Sequence, residues 1–278
     1  MSRIAEAFAG AKRPLLVAYL VGGDPDPATS LAAAMAIVEG GADILEIGIP
    51  FTDPIADGPV IQEANVRALA GGMTTERLFA LVRAIRERVQ VPIVLMTSYN
   101  PVYVRGDARF CREARDAGAD AVLVTDLPPE ESGPFDAAAR EHALDRIFLV
   151  APNTPPERLP LIAGLASGFL YLVSVQGVTG VRESLDPAIA RRIAQVQSAA
   201  SLPVAVGFGI SRPEHVREIA DAGADAAIVG SAVVRIIGAH GGDVAAMQAA
   251  LRAYVAGMRS AVGGALSGAP DPLSYGRS

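Results

Sequence analysis

The sequence is poor in the residues on which several kinds of chemistry depend. It has a single cysteine, Cys111, in 278 residues, which excludes an internal disulfide and any metal cage built of thiolates alone. Lys12 is the only lysine, and the histidines are His142, His215 and His240. Hydrophobic residues make up 51% of the chain and mean hydropathy is +0.33, so the chain is apolar enough to raise the question of a membrane. No unbroken apolar run approaches the ~18–20 residues of a membrane span, however. The first residues, M-S-R-I-A-E-A-F-A-G-A-K-R-P, hold no apolar segment of a secretory signal, and the cytoplasm is the expected compartment. Net charge is −6 with a pI near 5.2 and there is no basic stripe, so nucleic acid is not an expected partner.

What is present alternates. Short apolar runs bounded by turn residues occur at 14–20, 44–49, 92–97, 121–125, 146–151, 169–173, 203–206 and 226–229, as expected of strands buried on both faces. Helical patterns separate them at 27–39, 74–89, 108–116, 135–141, 157–163, 187–196 and 212–220, and a short helix reaching 237 follows the last strand. Extra helices are expected at 4–9, at 60–69 after the second strand and at 244–262 after the eighth. Thr74 or Thr75 caps the helix after 73, and 98–106 reads as a loop. Eight strand–helix units in this length fit a closed parallel (β/α)8 TIM barrel, a single domain over 1–262. Residues 263–278, rich in Gly, Ser and Pro, read as a mobile tail. Three helix-to-strand joints repeat one theme, G-G-A-D at 40–43, A-G-A-D at 117–120 and A-G-A-D at 222–225. They read as structural joints at the bottom of the barrel, with a glycine in the left-handed helix-ending conformation.

Barrel chemistry sits in the loops after the strands, and residues 45–59 stand out there. They read L-E-I-G-I-P-F-T-D-P-I-A-D-G-P, a buried strand carrying Glu46, then a loop carrying Asp53 and Asp57. Ile44, Glu46 and Gly48 share one face, and if that face is the barrel interior, burial raises the Glu46 pKa and suits it to giving and taking protons. Its structural alternative is a buried ion pair with an arginine, although no arginine lies in the loops after strands one and two. Asp57 reads equally as an N-cap or turn residue, and Asp53, followed by Pro54, as a solvated turn.

Glycine-rich turns follow the last three strands: Gly177-Val178-Thr179-Gly180, Gly207-Phe208-Gly209 and Gly230-Ser231. Ser231 also opens a helix, whose free N–H groups and dipole favour an anion, so these turns are a candidate phosphate site. A Schiff-base mechanism needs a lysine at a strand end, and Lys12 precedes strand one. A metal-dependent aldolase needs histidine ligands, and none of the three histidines ends a strand. A phosphate-bearing substrate with carboxylates but neither lysine nor metal points to general acid–base chemistry.

The long acidic stretch L-E-I-G-I-P-F-T-D-P-I-A-D-G-P-V-I-Q resembles the signature of the tryptophan synthase alpha subunit family. The resemblance runs to about Val262 and includes A-Y-L-V-G-G-D-P, M-T-S-Y-N-P, D-L-P-P-E-E-S, L-V-S-V-Q-G-V-T-G, G-F-G-I-S and V-G-S-A, each after a strand. It implies a lyase of tryptophan biosynthesis that cleaves indole-3-glycerol phosphate to indole and glyceraldehyde 3-phosphate by a retro-aldol step. On this resemblance Glu46 shuttles protons, including the one delivered to indole C3, and Asp57 accepts the indole N–H. Tyr171 matches a tyrosine beside the glutamate, and Gly180, Gly209, Gly230 and Ser231 fall at the phosphate. Tyr19, Ile61 and Phe208 match the indole pocket, while Asp126 and Thr179 match residues that order the loops. Either Ser98 or Tyr99 takes an aromatic pocket position after strand three, and Thr52 stands where many relatives have serine. The resemblance also implies a beta-subunit partner in an alpha2beta2 assembly, contacted through the loop at Asp53 and Pro54. Pyridoxal phosphate is expected in the partner only, and no cofactor or metal in this chain. Two other readings remain: another phosphate-binding barrel enzyme, or a weakly active subunit that mainly regulates its beta partner.

Overall fold

The structure, a computed structural model, describes residues 1–12, 14–173, 188–207, 209–240 and 242–262. Eight parallel strands close into a barrel in sequence order: β1 (Leu15–Val21), β2 (Ile44–Gly48), β3 (Ile93–Thr97), β4 (Ala121–Val124), β5 (Asp145–Val150), β6 (Leu170–Val173), β7 (Val204–Gly207) and β8 (Ala226–Val229). The first strand pairs with both the second and the last. Every residue of β1 and β2 is buried, because side chains alternate between two apolar layers. Leu15 and Val17 point into the barrel beside Ile44, Val94 and Ala205. Leu16, Ala18 and Leu20 face the surrounding helices. Each fully buried Leu or Ile contributes about 1.5–3 kcal/mol.

The chain opens with α1 (Arg3–Ala9), and the outer ring begins with α2 (Pro27–Glu39), α3 (Pro59–Ala70) and α4 (Thr75–Arg86), the last capped by Thr74. It continues with α5 (Tyr99–Arg105), α6 (Asp107–Asp116), α7 (Gly133–Glu141), α8 (Leu159–Leu165) and α9 (Ala188–Ala199). The chain then forms α10 (Pro213–Asp221), α11 (Ser231–Ala239) and α12 (Val244–Ser260). No helix among the described residues is long and apolar enough to cross a membrane.

One expectation fails at α5, since 98–106 was read as a loop. Pro101 falls in the first turn, where its missing N–H is tolerated, and the Asp126 Oδ1 accepts the Tyr99 N–H at 2.6 Å. At the other end Arg105 pairs with Glu76 at 2.5 Å and with Glu113, and Gly106, at φ +83°, turns the chain into α6.

The bottom of the barrel is closed by α1, whose Ile4 and Phe8 pack into the interior cluster, Phe8 lying 5.8 Å from the Phe169 ring. The three repeated joints lie here, with Gly41, Gly118 and Gly223 at φ of +99°, +98° and +90°. Their aspartates share one task. Asp43, Asp120 and Asp225 accept the N–H of Leu16, Ile93 and Val204 at 2.8, 2.9 and 2.8 Å, and the Ser167 Oγ accepts that of Arg146 at 3.0 Å. The residue entering each even strand thus satisfies a backbone donor at the start of the odd strand before it, leaving the opposite end free for chemistry.

Candidate active site

Glu46 lies on β2 between Tyr19 of β1 and Val94 of β3 in register, and it points inward. It is 1% exposed, and among the described residues neither carboxyl oxygen has a hydrogen-bond partner. No arginine pairs with it there, so the ion-pair alternative finds no support. Burial, and secondarily the negative charge of Asp57, push its pKa from 4.5 to about 8. At neutral pH it is therefore mostly an uncharged acid. An unpartnered polar group this deep is costly to keep, which marks it for a task other than stability.

Asp57 ends the loop above Glu46 and does not cap α3, whose N-cap is Gly58 without a side-chain hydrogen bond. Its N–H donates to the Pro54 carbonyl at 3.0 Å, and its carbonyl accepts from Gln62 Nε2 at 2.9 Å. Its carboxylate Oδ2 accepts from Asn65 Nδ2 at 3.3 Å. Burial raises its pKa and the Asn65 bond opposes that rise, the outcome being about 6. The two acids thus differ at neutral pH: Glu46 is protonated and Asp57 is mainly ionised.

Two buried phenols accompany the acids, Tyr19 in the cavity wall and Tyr171 outside its lining. Tyr19 and Tyr171 are each 6% exposed, and each ring lies over a glycine of the next strand, Gly48 and Gly207. A Cβ there would stand 2.2 Å from the Tyr19 hydroxyl or 2.3 Å from that of Tyr171, so both positions need glycine. Burial holds both phenols protonated, with the two carboxylates adding to the effect.

A cavity with about 300 Å³ of empty space opens here, lined by Tyr19, Gly48, Phe51, Asp57 and Ser98 among others. Ser98, not Tyr99, lines it; the Tyr99 hydroxyl turns away to Asp107 at 3.2 Å. Ile61 is buried on α3 but is not among the lining residues. Pro54 lines the rim, while exposed Asp53 accepts from the Thr52 hydroxyl at 2.6 Å. Exposed Asp126 reaches the site only through the N-terminus of α5. Gly209, at φ +76°, follows β7, and Gly230 approaches the Tyr19 ring immediately before Ser231 opens α11. Thr179, Gly180 and Phe208 lie outside the described residues.

Sequence reasoning missed Thr97 and Thr125, which line the cavity from the ends of β3 and β4, and Asn65. For Asn65 a signal existed: it is a polar residue in the buried stripe of α3 with Ile61, Ala64 and Ala68. No cluster of three metal-ligating side chains occurs among the described residues. The buried Cys111 thiol is pushed up to about 12 and is no nucleophile.

A buried acid that is neutral near pH 7, coupled to a mainly ionised Asp57 in the cavity wall, suits proton transfer. Comparison with known proteins agrees: the model of the family "Tryptophan synthase alpha chain" matches residues 6–263. The chain belongs to the tryptophan synthase alpha chain family. It is 48% identical over 261 residues to the tryptophan synthase alpha chain of Methanoregula boonei, covering 94% of this chain and 98% of that one. The alpha chain of Geobacter sulfurreducens is 44% identical, with 95% and 100% covered. Among solved structures, a chain of the tryptophan synthase a2b2 complex of Pyrococcus furiosus superposes with a TM-score of 0.83 at 41% identity, covering 89% of this chain and 98% of that one. Tryptophan synthase of Mycobacterium tuberculosis gives 0.85 at 38% identity, with 94% and 98% covered.

Proposed function

We propose that this tryptophan synthase alpha chain cleaves indole-3-glycerol phosphate through Glu46 and Asp57. The Glu46 carboxyl delivers its proton to indole C3, and the positive charge that develops on the ring is stabilised by Asp57, which accepts the indole N–H. Such electrostatic stabilisation is often worth ~3–4 kcal/mol per group. The resulting Glu46 carboxylate takes the proton of the glycerol hydroxyl next to the scissile carbon–carbon bond. That bond breaks, its electron pair returns to the ring, and indole and glyceraldehyde 3-phosphate leave with the proton count balanced. Tyr171 supports Glu46. Gly180, Gly209, Gly230 and Ser231 hold the phosphate, Tyr19 and Phe208 enclose the indole, and Asp126 and Thr179 order the neighbouring loops.

The observation that carries this reading is the buried Glu46 carboxyl, unpartnered among the described residues and facing the charge of Asp57. The chain works in the cytoplasm as the alpha part of an alpha2beta2 assembly, with Asp53 and Pro54 on the loop that meets the beta subunit. Pyridoxal phosphate belongs to that partner, since Lys12 lies before β1, at the end of the barrel away from the site. Residues 1–262 form the catalytic domain, and 263–278, expected from the sequence as a tail, lie outside the described residues. The test is indole release from indole-3-glycerol phosphate, measured with and without the beta subunit. Slow release alone and faster release in the complex are expected; no release in either state would refute the reading.

A further inference from the structure

Asn65 is 4% exposed, and its carboxamide is used at both ends. Its Oδ1 accepts the Phe51 N–H at 3.2 Å, while its Nδ2 donates to Asp57 Oδ2 at 3.3 Å and to the Ile61 carbonyl at 3.0 Å. Phe51 and Asp57 stand at the two ends of the acidic loop, so one side chain fastens the start of the loop by its backbone and the end by its carboxylate. The helix that carries Asn65 is itself anchored. Arg67, two residues on, makes a bidentate pair with fully buried Asp24 of the loop after β1, both bonds at 2.7 Å.

Among the described residues no other side chain donates a hydrogen bond to the Asp57 carboxylate. The titratable groups on which its charge acts are Glu46 from β2, Tyr19 from β1 and Tyr171 from β6, and none of these is a cation. Burial disfavours its anion, and Asn65 supplies the opposing interaction. A buried asparagine with satisfied hydrogen bonds is often only a packing residue. Here one of its partners is a group assigned to the reaction.

We propose that Asn65 is a positioning residue, which aims the Asp57 carboxylate into the cavity and keeps it in the anionic form needed to accept the indole N–H. This rests on the role given to Asp57 above. A purely structural asparagine, once removed, would lower the rate equally at every pH. A positioning residue would also move the limb of the pH profile that Asp57 governs.

The experiment compares kcat/KM for indole-3-glycerol phosphate across pH in the complex with the beta subunit, for the unaltered chain, Asn65→Ala, Asn65→Asp and Asp57→Asn. Asn65→Asp keeps the size and the acceptor for the Phe51 N–H but puts a second carboxylate in place of the amide donor, so it preserves loop anchoring while opposing the Asp57 anion more strongly than Asn65→Ala does. In both Asn65 variants kcat/KM should fall about ten-fold near pH 7. The acidic limb should move to higher pH, making the loss larger near pH 6 than near pH 8. If the Ala variant does not fold, Asn65→Leu, uncharged and of similar size, takes its place. An unmoved limb in the folded variants, with Asp57→Asn inactive, would overturn the role of Asn65 alone. Normal turnover in Asp57→Asn would overturn the reading of the site itself.

Discussion

Replacing Glu46 by glutamine should make the protein more stable, by an amount that depends on pH. The folded chain raises this carboxyl from 4.5 to about 8, whereas the unfolded chain leaves it near its ordinary value. Between those two pH values the native state holds one proton more than the unfolded state. Unfolding free energy therefore falls as pH rises, by about 1.4 kcal/mol per unit. The full effect is about 5 kcal/mol above the folded pKa and about 3 kcal/mol at pH 7. Glutamine has nearly the same shape and does not titrate, so the variant escapes this loss. Urea unfolding followed by circular dichroism from pH 4 to pH 9 measures the difference between the two proteins. That difference should be flat below pH 4.5, grow with pH and level off above about 8. Asp57 is present in both proteins and largely cancels. A difference that does not change with pH would refute the claim that the fold holds Glu46 neutral. A difference that shrinks as pH rises would mean that the native state favours the carboxylate.

On the proposed mechanism the same two acids set the pH dependence of cleavage. Asp57 must be ionised and Glu46 protonated, so kcat/KM should follow a bell with limbs near about 6 and about 8, and a rate that keeps rising beyond the upper limb would contradict the assignment. At the other end of the barrel, Asp120→Ala should cost about 3 kcal/mol in urea unfolding. It removes the partner of the Ile93 N–H and of Arg86, at 2.9 and 2.7 Å, from a position 2% exposed. A loss of less than about 1 kcal/mol, the scale of an exposed ion pair, would show that the repeated joints are not load-carrying.

The barrel was legible because its signals are local. Alternation within each strand, glycine at the joints and turn residues after each strand need no knowledge of distant neighbours. The period of two also placed Glu46 correctly on the face shared by Ile44 and Gly48. What the sequence did not reveal depends on contacts made at a distance. The α5 helix hides behind a proline and draws its N-terminal acceptor from Asp126, 27 residues away. Ser98 faces the cavity because the Tyr99 hydroxyl has a partner on α6, eight residues along. Asp57 was indistinguishable from an N-cap until Gly58 took that place and Asn65 took its carboxylate. Ile61 shares the buried face of α3 with Asn65, and helical spacing alone does not tell a residue packed against the barrel from one that lines the cavity.

The most direct measurement is turnover of indole-3-glycerol phosphate by Glu46→Gln in the assembled complex, beside its affinity for a phosphate-bearing substrate analogue. Loss of general acid–base catalysis alone is worth roughly 10²–10⁴-fold. Indole formation should fall by at least that much while the analogue binds as before. Turnover within a few-fold of the unaltered enzyme would contradict the account.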